Sequence, residues 1–364
     1  MRVFFIKRFS GVSLIAGNQH QRITELTKNK QELHIIPLFV IMDIAYLKEV
    51  KQVKQKQIYL ILFCVMISWG LNVIATKILV TNFMPVTMTA FRIFLGGVSV
   101  FIILSIIKKV RMLTKKEFIY VFIGGLFNVV VHHYFLAVGL SETSASNGGL
   151  ILGLGPILTA VLAVLFLGST MTVIRAVGFL LGITGVGCIV LQSGGGFHGI
   201  ASGDVSVFLS VLSQAISFVL IAKVSKTLDP RLMTGYMLVM GSVILFFISL
   251  ALEPEGLASM QNASIGLWAL FFASAVIATA LGHMLYNFSM GKVGAAEASI
   301  FINLSPFFSL IGSVIFLKEK IAAAQLIGFV FILIGVVLGS GGFEELIRKR
   351  KRNQQMNMKK KYTV

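Results

Sequence analysis

Long apolar runs alternate with short polar breaks along most of this chain. Ten runs stand out, at approximately 58–80, 85–107, 117–138, 143–167, 173–192, 204–224, 231–252, 265–289, 295–317 and 322–341. A helix needs ~20 mostly apolar residues to cross the hydrocarbon of a bilayer. Each run therefore predicts a transmembrane helix, and the breaks are too short to hold a further domain. The ends of the chain differ. Residues 1–57 and 342–364 are basic segments with weak patterning. The apolar run at 35–47 is too short to span and is interrupted by Pro37 and Asp43. From Met42 onward the sequence reads as a short cytoplasmic start, so residues 1–41 are expected to be an upstream extension with no role in the fold. No clean apolar region followed by a small-residue cleavage site precedes the first span, which argues against a signal peptide.

A second regularity runs through the apolar segments. Residues 135–190 recur at 285–340 with a constant offset of 150 and no gap. Ala145/Ala295, Leu154/Leu304, Pro156/Pro306, Val164/Val314, Phe166/Phe316, Leu167/Leu317, Gly178/Gly328, Phe179/Phe329, Gly185/Gly335 and Val186/Val336 are identical across it. The chain thus divides into five-helix repeats at 58–192 and 204–341, joined by a linker at 193–203 that is rich in glycine. Five is odd, so the second repeat must enter the membrane upside down relative to the first. The expected fold is an all-α polytopic membrane protein of ten transmembrane helices, arranged as two inverted-topology repeats about a pseudo-twofold axis in the membrane plane. Such duplication, with a Pro- and Gly-interrupted segment in each half, is the sequence mark of a secondary transporter.

Composition supports the membrane reading. The chain is 56% apolar and 13% charged, about half the charge of a soluble protein. The net charge of +18 sits in tails and loops, where it sets orientation instead of marking a nucleic-acid surface. Twenty-eight of the 32 Lys and Arg residues fall on one side, which puts both termini in the cytoplasm. Cys64 and Cys188 lie inside apolar runs, and no Cys or His cluster has metal-ligand spacing. No phosphate-binding loop is present, so transport would run on gradients or exchange. No cofactor and no metal are expected. Nor is an enzyme, since no set of nucleophile, acid/base or metal groups converges at one depth. The expected partners are the lipid bilayer and a small-molecule solute, with a homodimer left open. Short loops and sparse cysteine fit a bacterial cytoplasmic membrane.

Motifs along both halves carry a resemblance. The first half has Trp69-Gly70-x-Asn72 and Lys77, then Pro85 and Arg92, then Gly139-Leu140, Thr143 to Asn147 and Pro156, then Phe166-Leu167, Gly178 and Gly185. The second half repeats the later part with Ala295, Pro306, Phe316-Leu317, Glu319, Gly328 and Gly335. In this order, over roughly 58–341, the chain resembles the EamA-type, ten-helix branch of the drug/metabolite transporter superfamily. The resemblance implies export or uptake of small metabolites by alternating access, as a proton antiporter or exchanger, and implies no particular substrate. Two departures stand out. The family's Leu-x-Glu ending of the fourth helix is replaced by Leu167-Gly168-Ser169, and the region around Tyr236 carries no counterpart of Arg92.

Polar residues inside the spans are the candidate site. Arginine at a helix centre costs ~2.5–3.5 kcal/mol on insertion scales, so it needs a partner or an aqueous cavity. Arg92 reads either as a fixed charge for a solute carboxylate or phosphate, or as a structural arginine bonding helix-end carbonyls. His132 and His133 sit together, with Asn128 one turn earlier. His283 is followed by Tyr286 and Asn287, and His133 matches His283 at the offset. These histidines suit a proton-coupled step, or are packed against neighbouring carbonyls. Glu297 is read as the only acidic residue placed to enter a span, either coupling protons or favouring its helix N-terminus. Asn303 follows it before Pro306. Pro156 and Pro306 free the carbonyls four residues back and would line the pathway as hinge or wall. Trp69 and Asn72 lie mid-helix, where Trp69 closes the cavity, stacks a solute or packs the core.

The expected function is therefore secondary active transport of a small organic metabolite, an amino acid or other anionic or zwitterionic solute being favoured, across the cytoplasmic membrane by alternating access, with export by proton antiport or exchange the favoured mode. The alternatives are a broad exporter of cationic drugs and, in a different class, a nontransporting membrane scaffold.

Overall fold

The computed structural model of the chain describes residues 38–168, 171–193, 201–222, 228–261, 263–293, 298, 301–339 and 344, with 38–55 as backbone alone. The chain divides into two units, residues 1–57 and 58–364. In the first, residues 38–57 are helical. Among the described residues every regular element is a helix.

The elements are α1 (Leu38–Asn82), α2 (Pro85–Ile106), α3 (Lys115–Glu142), α4 (Ala145–Leu152 continued by Gly155–Leu167) and α5 (Val173–Ser193). They continue with α6 (Ser202–Ala222), α7 (Pro230–Leu252), α8 (Ile265–Ser289), α9 (Leu304–Leu317) and α10 (Ala323–Gly339). Eight of them are long and apolar enough to cross a membrane, while α9 and α10 are shorter apolar helices. The first span begins at Lys56, close to expectation, and the helix is already formed upstream of it from Leu38, because the Lys- and Gln-rich stretch before residue 58 contains strong helix formers and no Pro or Gly. One boundary departs from expectation. The third helix runs on to Glu142 and stops at Thr143, which is extended (φ −123°, ψ 172°). Residues 194–200 of the expected linker, most of the C-terminal tail and the upstream segment up to residue 37 lie outside the described residues.

Helix ends follow local chemistry. Pro85 and Pro230 open α2 and α7 at positions where an amide hydrogen would have no partner in the helix. Thr114 and Glu117 form a capping box at the start of α3. Gly168 ends α4 in the left-handed region at φ 68°. Lys318, its counterpart at the 150-residue offset, ends α9 at φ 56°.

Two irregularities recur in both halves. The run Leu126–Val131 within α3 is a π-helical turn, and so is Ser274–Leu281 within α8. The chain also breaks ahead of both prolines. Pro156 cannot donate to the Leu152 carbonyl, and the Gly153 and Leu154 amides bond back only three residues, to Leu150 and Ile151, at 3.0 Å each. A turn at Asn303 precedes α9 and Pro306. These breaks meet where α4 crosses α9: a methyl added to Gly153 would lie 2.8 Å from the Pro306 ring.

Packing pairs helices five apart in order: α2 with α7, α4 with α9, and α5 with α10. The α5–α10 pair is held at backbone contact by glycines. A Cβ on Gly178 would sit 2.3 Å from the Gly339 nitrogen, so only glycine permits this approach. Meanwhile α3 packs on α6 and Trp69 of α1 packs on Gly282 of α8. Large apolar side chains such as Phe94, Ile102, Leu180, Phe247 and Phe272 point outward and are exposed. Water would penalise that surface, whereas lipid solvates it.

Candidate functional site

Arg92 lies seven residues into α2, roughly 10 Å from its start. It is 1% exposed. Its Nη1 donates to Ser274 Oγ at 3.2 Å and to Thr279 Oγ1 at 3.3 Å. Its Nε meets no partner. The ion pairs among the described residues join Arg111 to Glu117, Arg175 to Glu344 and Arg231 to Asp229, so none of these carboxylates neutralises Arg92.

Both hydroxyls that hold Arg92 come from the π-helical turn of α8. Thr279 Oγ1 donates in turn to the Ser274 carbonyl at 3.1 Å. Ser274 Oγ donates across to Asn72 Oδ1 of α1 at 2.5 Å. A π turn widens the helix and re-aims side chains, and such turns concentrate at functional sites. Here one π turn presents two hydroxyls to one guanidinium.

Aromatic rings border this polar group. Trp69 Nε1 donates to the Ala278 carbonyl at 3.1 Å. The Trp69 ring lies 5.1 Å from the His283 ring and 5.1 Å from the Tyr286 ring, centroid to centroid. His283 Nδ1 is 2.9 Å from the Thr279 carbonyl. Tyr286 is buried. Trp69, Asn72, Arg92, His283 and Tyr286, chosen from sequence alone, thus meet around one segment of α8.

The other histidines form the opposite part of the same region. His132 Nδ1 lies 2.8 Å from Ser210 Oγ and 3.0 Å from the Ser210 carbonyl, and its Nε2 is 3.4 Å from the Gln214 amide nitrogen. His133 stacks edge-on against His132, with centroids 4.6 Å apart, and its buried Nδ1 has no hydrogen-bond partner. The stretch of α3 from His132 to Glu142 packs against α2, which carries Arg92. Asn128 is buried in the π turn of α3, one turn before His132.

Other candidates fall elsewhere. Asn287 is drawn to α7, where its Nδ2 donates to Thr234 Oγ1 at 2.7 Å. Pro156 and Pro306 are buried at the α4–α9 crossing, and Asn303 Oδ1 is buried there without a partner. Glu297 lies outside the described residues.

Several polar residues escaped the sequence reading. Ser274, Thr279 and Gln214 look like ordinary small or neutral residues in apolar runs, and nothing in their spacing singles them out. Asp204 is fully buried in the first turn of α6. It accepts hydrogen bonds from Thr143 Oγ1 and Asn147 Nδ2. This corrects the expectation that Glu297 alone among the acids enters a span. Asp204 was passed over because an acid in a helix's first turn is ordinary.

Known proteins share this architecture. The family described as EamA-like transporters matches the chain twice, over residues 56–191 and 201–341. The uncharacterized transporter YyaM of Bacillus subtilis is 30% identical over 295 residues, covering 79% of this chain and 95% of its own length. A WAT1-related chloroplastic protein of Arabidopsis thaliana is 28% identical over 277 residues, covering 74% of this chain and 66% of its own. A protein of known crystal structure superposes with a TM-score of 0.57 at 18% identity, covering 78% of this chain and 96% of that one. Apolar helices in number, a duplicated match over most of the chain and transporter relatives along nearly their full length lead to one assignment: this chain is a multi-pass membrane protein that belongs to the EamA-like transporter family.

Proposed function

We propose that this transporter moves a small organic solute bearing a carboxylate or phosphate, as an anion or zwitterion, across the cytoplasmic membrane of a bacterium. The observation that carries the reading is the Arg92 guanidinium: buried, held among the described residues by two neutral hydroxyls, and with Nε meeting no partner among them. A desolvated cation of this kind is costly without an anionic partner. A solute carboxylate supplies one through paired, charge-assisted hydrogen bonds. Asn72, Ser274 and Thr279 fix its orientation, and Trp69, His283 and Tyr286 enclose the remainder of the molecule. His133 and His283 are the proton-coupling candidates within the described residues, with Glu297 a further one, and the direction proposed is efflux by proton antiport or exchange.

The mechanism proposed is alternating access between two inverted five-helix repeats, residues 58–192 and 204–341, with both termini cytoplasmic. Three features support it: the matched π turns of α3 and α8, the matched left-handed caps at Gly168 and Lys318, and the packing of helices five apart. A pseudo-twofold axis relating the halves would place each helix of α2/α7, α4/α9 and α5/α10 against its own counterpart.

The test is reconstitution in liposomes with currents recorded on a supported membrane. Pulses of amino acids, organic acids, sugar phosphates and cationic drugs are applied with and without a pH gradient. A current evoked by an anionic or zwitterionic class and lost in Arg92→Ala supports the reading. Responses confined to cationic drugs, or unchanged in Arg92→Ala, refute this assignment of the site.

A further inference from the structure

The bundle has two ends. One carries Asn82, the start of α2, the end of α3 and the start of α4; both halves of the chain meet there through carboxylates. Glu253, just past α7, accepts from the Val86 and Thr87 amides at the start of α2, at 2.9 and 2.7 Å. Glu319, just past α9, does the same for α4. Its oxygens accept from the Ala145 amide at 2.8 Å, the Ser146 amide at 3.0 Å and Ser146 Oγ at 2.6 Å. The network continues inward. Gln325 of α10 donates to Ser146 Oγ at 3.1 Å and to Asn147 Oδ1 at 2.7 Å. Asn147 then reaches buried Asp204 of α6. Each of these bonds joins a residue before 192 to one after 201.

A cavity of about 460 Å³ opens at this end, and Lys77, Thr143, Asn147 and Gln325 line it. The cavity therefore meets the network directly. Asp204, with no exposure, lies behind that floor. Lys77 adds a brace, donating to the Leu140 carbonyl at 2.7 Å.

The two ends are closed differently. At the 150-residue offset the sequence counterpart of Glu319 is Ser169, which is neutral. At the other end a different carboxylate joins the halves: Glu344, past α10, pairs with Arg175 of α5 at 3.1 Å.

We infer that Glu319, with Gln325, Ser146, Asn147 and Asp204, forms a gate across this end, and that the Glu319 carboxylate sets how often the gate opens. Opening parts α4 from the α9–α10 junction. It strips the α4 N-terminus of its charge-assisted cap, so the closed gate is the favoured state. Glu319 is a positioning residue for transport: it touches no solute and acts through α4. The inference rests on the alternating-access reading above.

Spin-label distances test it in full-length protein in lipid nanodiscs, with Cys64 and Cys188 replaced. One label pair, at Asn82 and Ala323, spans the halves at the gated end. A second pair, at Lys109 and Lys292, spans them at the other. Glu319→Gln removes the charge and keeps the shape. It should raise the open-to-closed ratio of the first pair at least tenfold, while the second pair shifts toward shorter distances in proportion. Ser146→Ala, which removes one of the three donors, should move both pairs the same way by a smaller factor, and it decides the matter if Glu319→Gln does not fold. Unchanged distributions overturn the gate, as does equal broadening of both pairs, which is the signature of a loosened fold. If the two pairs vary independently in the unmodified protein, alternating access fails instead.

Discussion

Replacing Arg92 with methionine separates the two roles that this residue could have. The side chain keeps similar length and loses its charge. In the structure the change orphans no donor, since Ser274 Oγ donates to Asn72 and Thr279 Oγ1 to the Ser274 carbonyl. Only two acceptor contacts, of 3.2 and 3.3 Å, disappear. Against that small loss, a desolvated cation with no carboxylate partner among the described residues is removed, and burying such an ion costs several kcal/mol. The unfolding midpoint of Arg92→Met should therefore stay level or rise. Solute handling should move the other way. Two charge-assisted hydrogen bonds at ~1.5–3 kcal/mol each amount to about 3–6 kcal/mol, or roughly two to four orders of magnitude in solute affinity. Thermal unfolding in detergent gives the first quantity. Solute-evoked current per folded molecule gives the second. A variant that unfolds at markedly lower temperature yet transports normally would refute the reasoning and make Arg92 a structural residue.

The remaining expectations concern packing, the aromatic wall and a helix cap. Gly178→Ala forces a methyl into the Gly339 backbone and should cost about 1–3 kcal/mol, whereas Gly187→Ala, with nothing within 4 Å of the added carbon, should leave the unfolding temperature unchanged or higher; equal effects would contradict the close packing of α5 on α10. Trp69 and Trp268 are the two tryptophans of the chain, so in Trp268→Phe the emission reports Trp69 alone and should change saturably with transported solute; a flat response would remove Trp69 from the site. Asp229 caps α7 through the Arg231 amide at 3.0 Å, and its hydrogen bonds to the Arg231 side chain hold the carboxyl below its ordinary value of about 3.8. Because the folded value is the lower one, the stabilisation is present above that ordinary value and fades as pH falls through the folded value. Asp229→Ala should then cost ~1 kcal/mol at pH 7 and almost nothing in strong acid; a pH-independent loss would show that the carboxylate charge contributes nothing.

Much of this protein was legible before its structure. Apolar run length marked eight spans and the helix Ala323–Gly339 to within a few residues, because a bilayer dictates how long an apolar helix must be. The 150-residue repeat pointed to Pro156 and Pro306, and the chain breaks ahead of both. Arg92, His283, Trp69, Asn72 and Tyr286 stood out because polar or aromatic groups within a span require partners. The third helix ran on past its expected end at 138 to Glu142, where nothing in the sequence forbids a helix from continuing.

What the sequence by itself determined is therefore one-dimensional: the membrane as solvent, the number and order of apolar helices, the duplication, and which residues are too polar to face lipid. Tertiary structure alone decided who meets whom. The π turn that aims Ser274 and Thr279 at Arg92 depends on how α8 packs against α1 and α2. Asn287 turns toward α7, although its spacing allowed it to join His283. Glu253 and Glu319, ordinary loop acids by position, become caps for helices more than 160 residues away in the chain. A hydrogen bond is set by distance and direction in space, and one chain carries no record of either until its helices have packed.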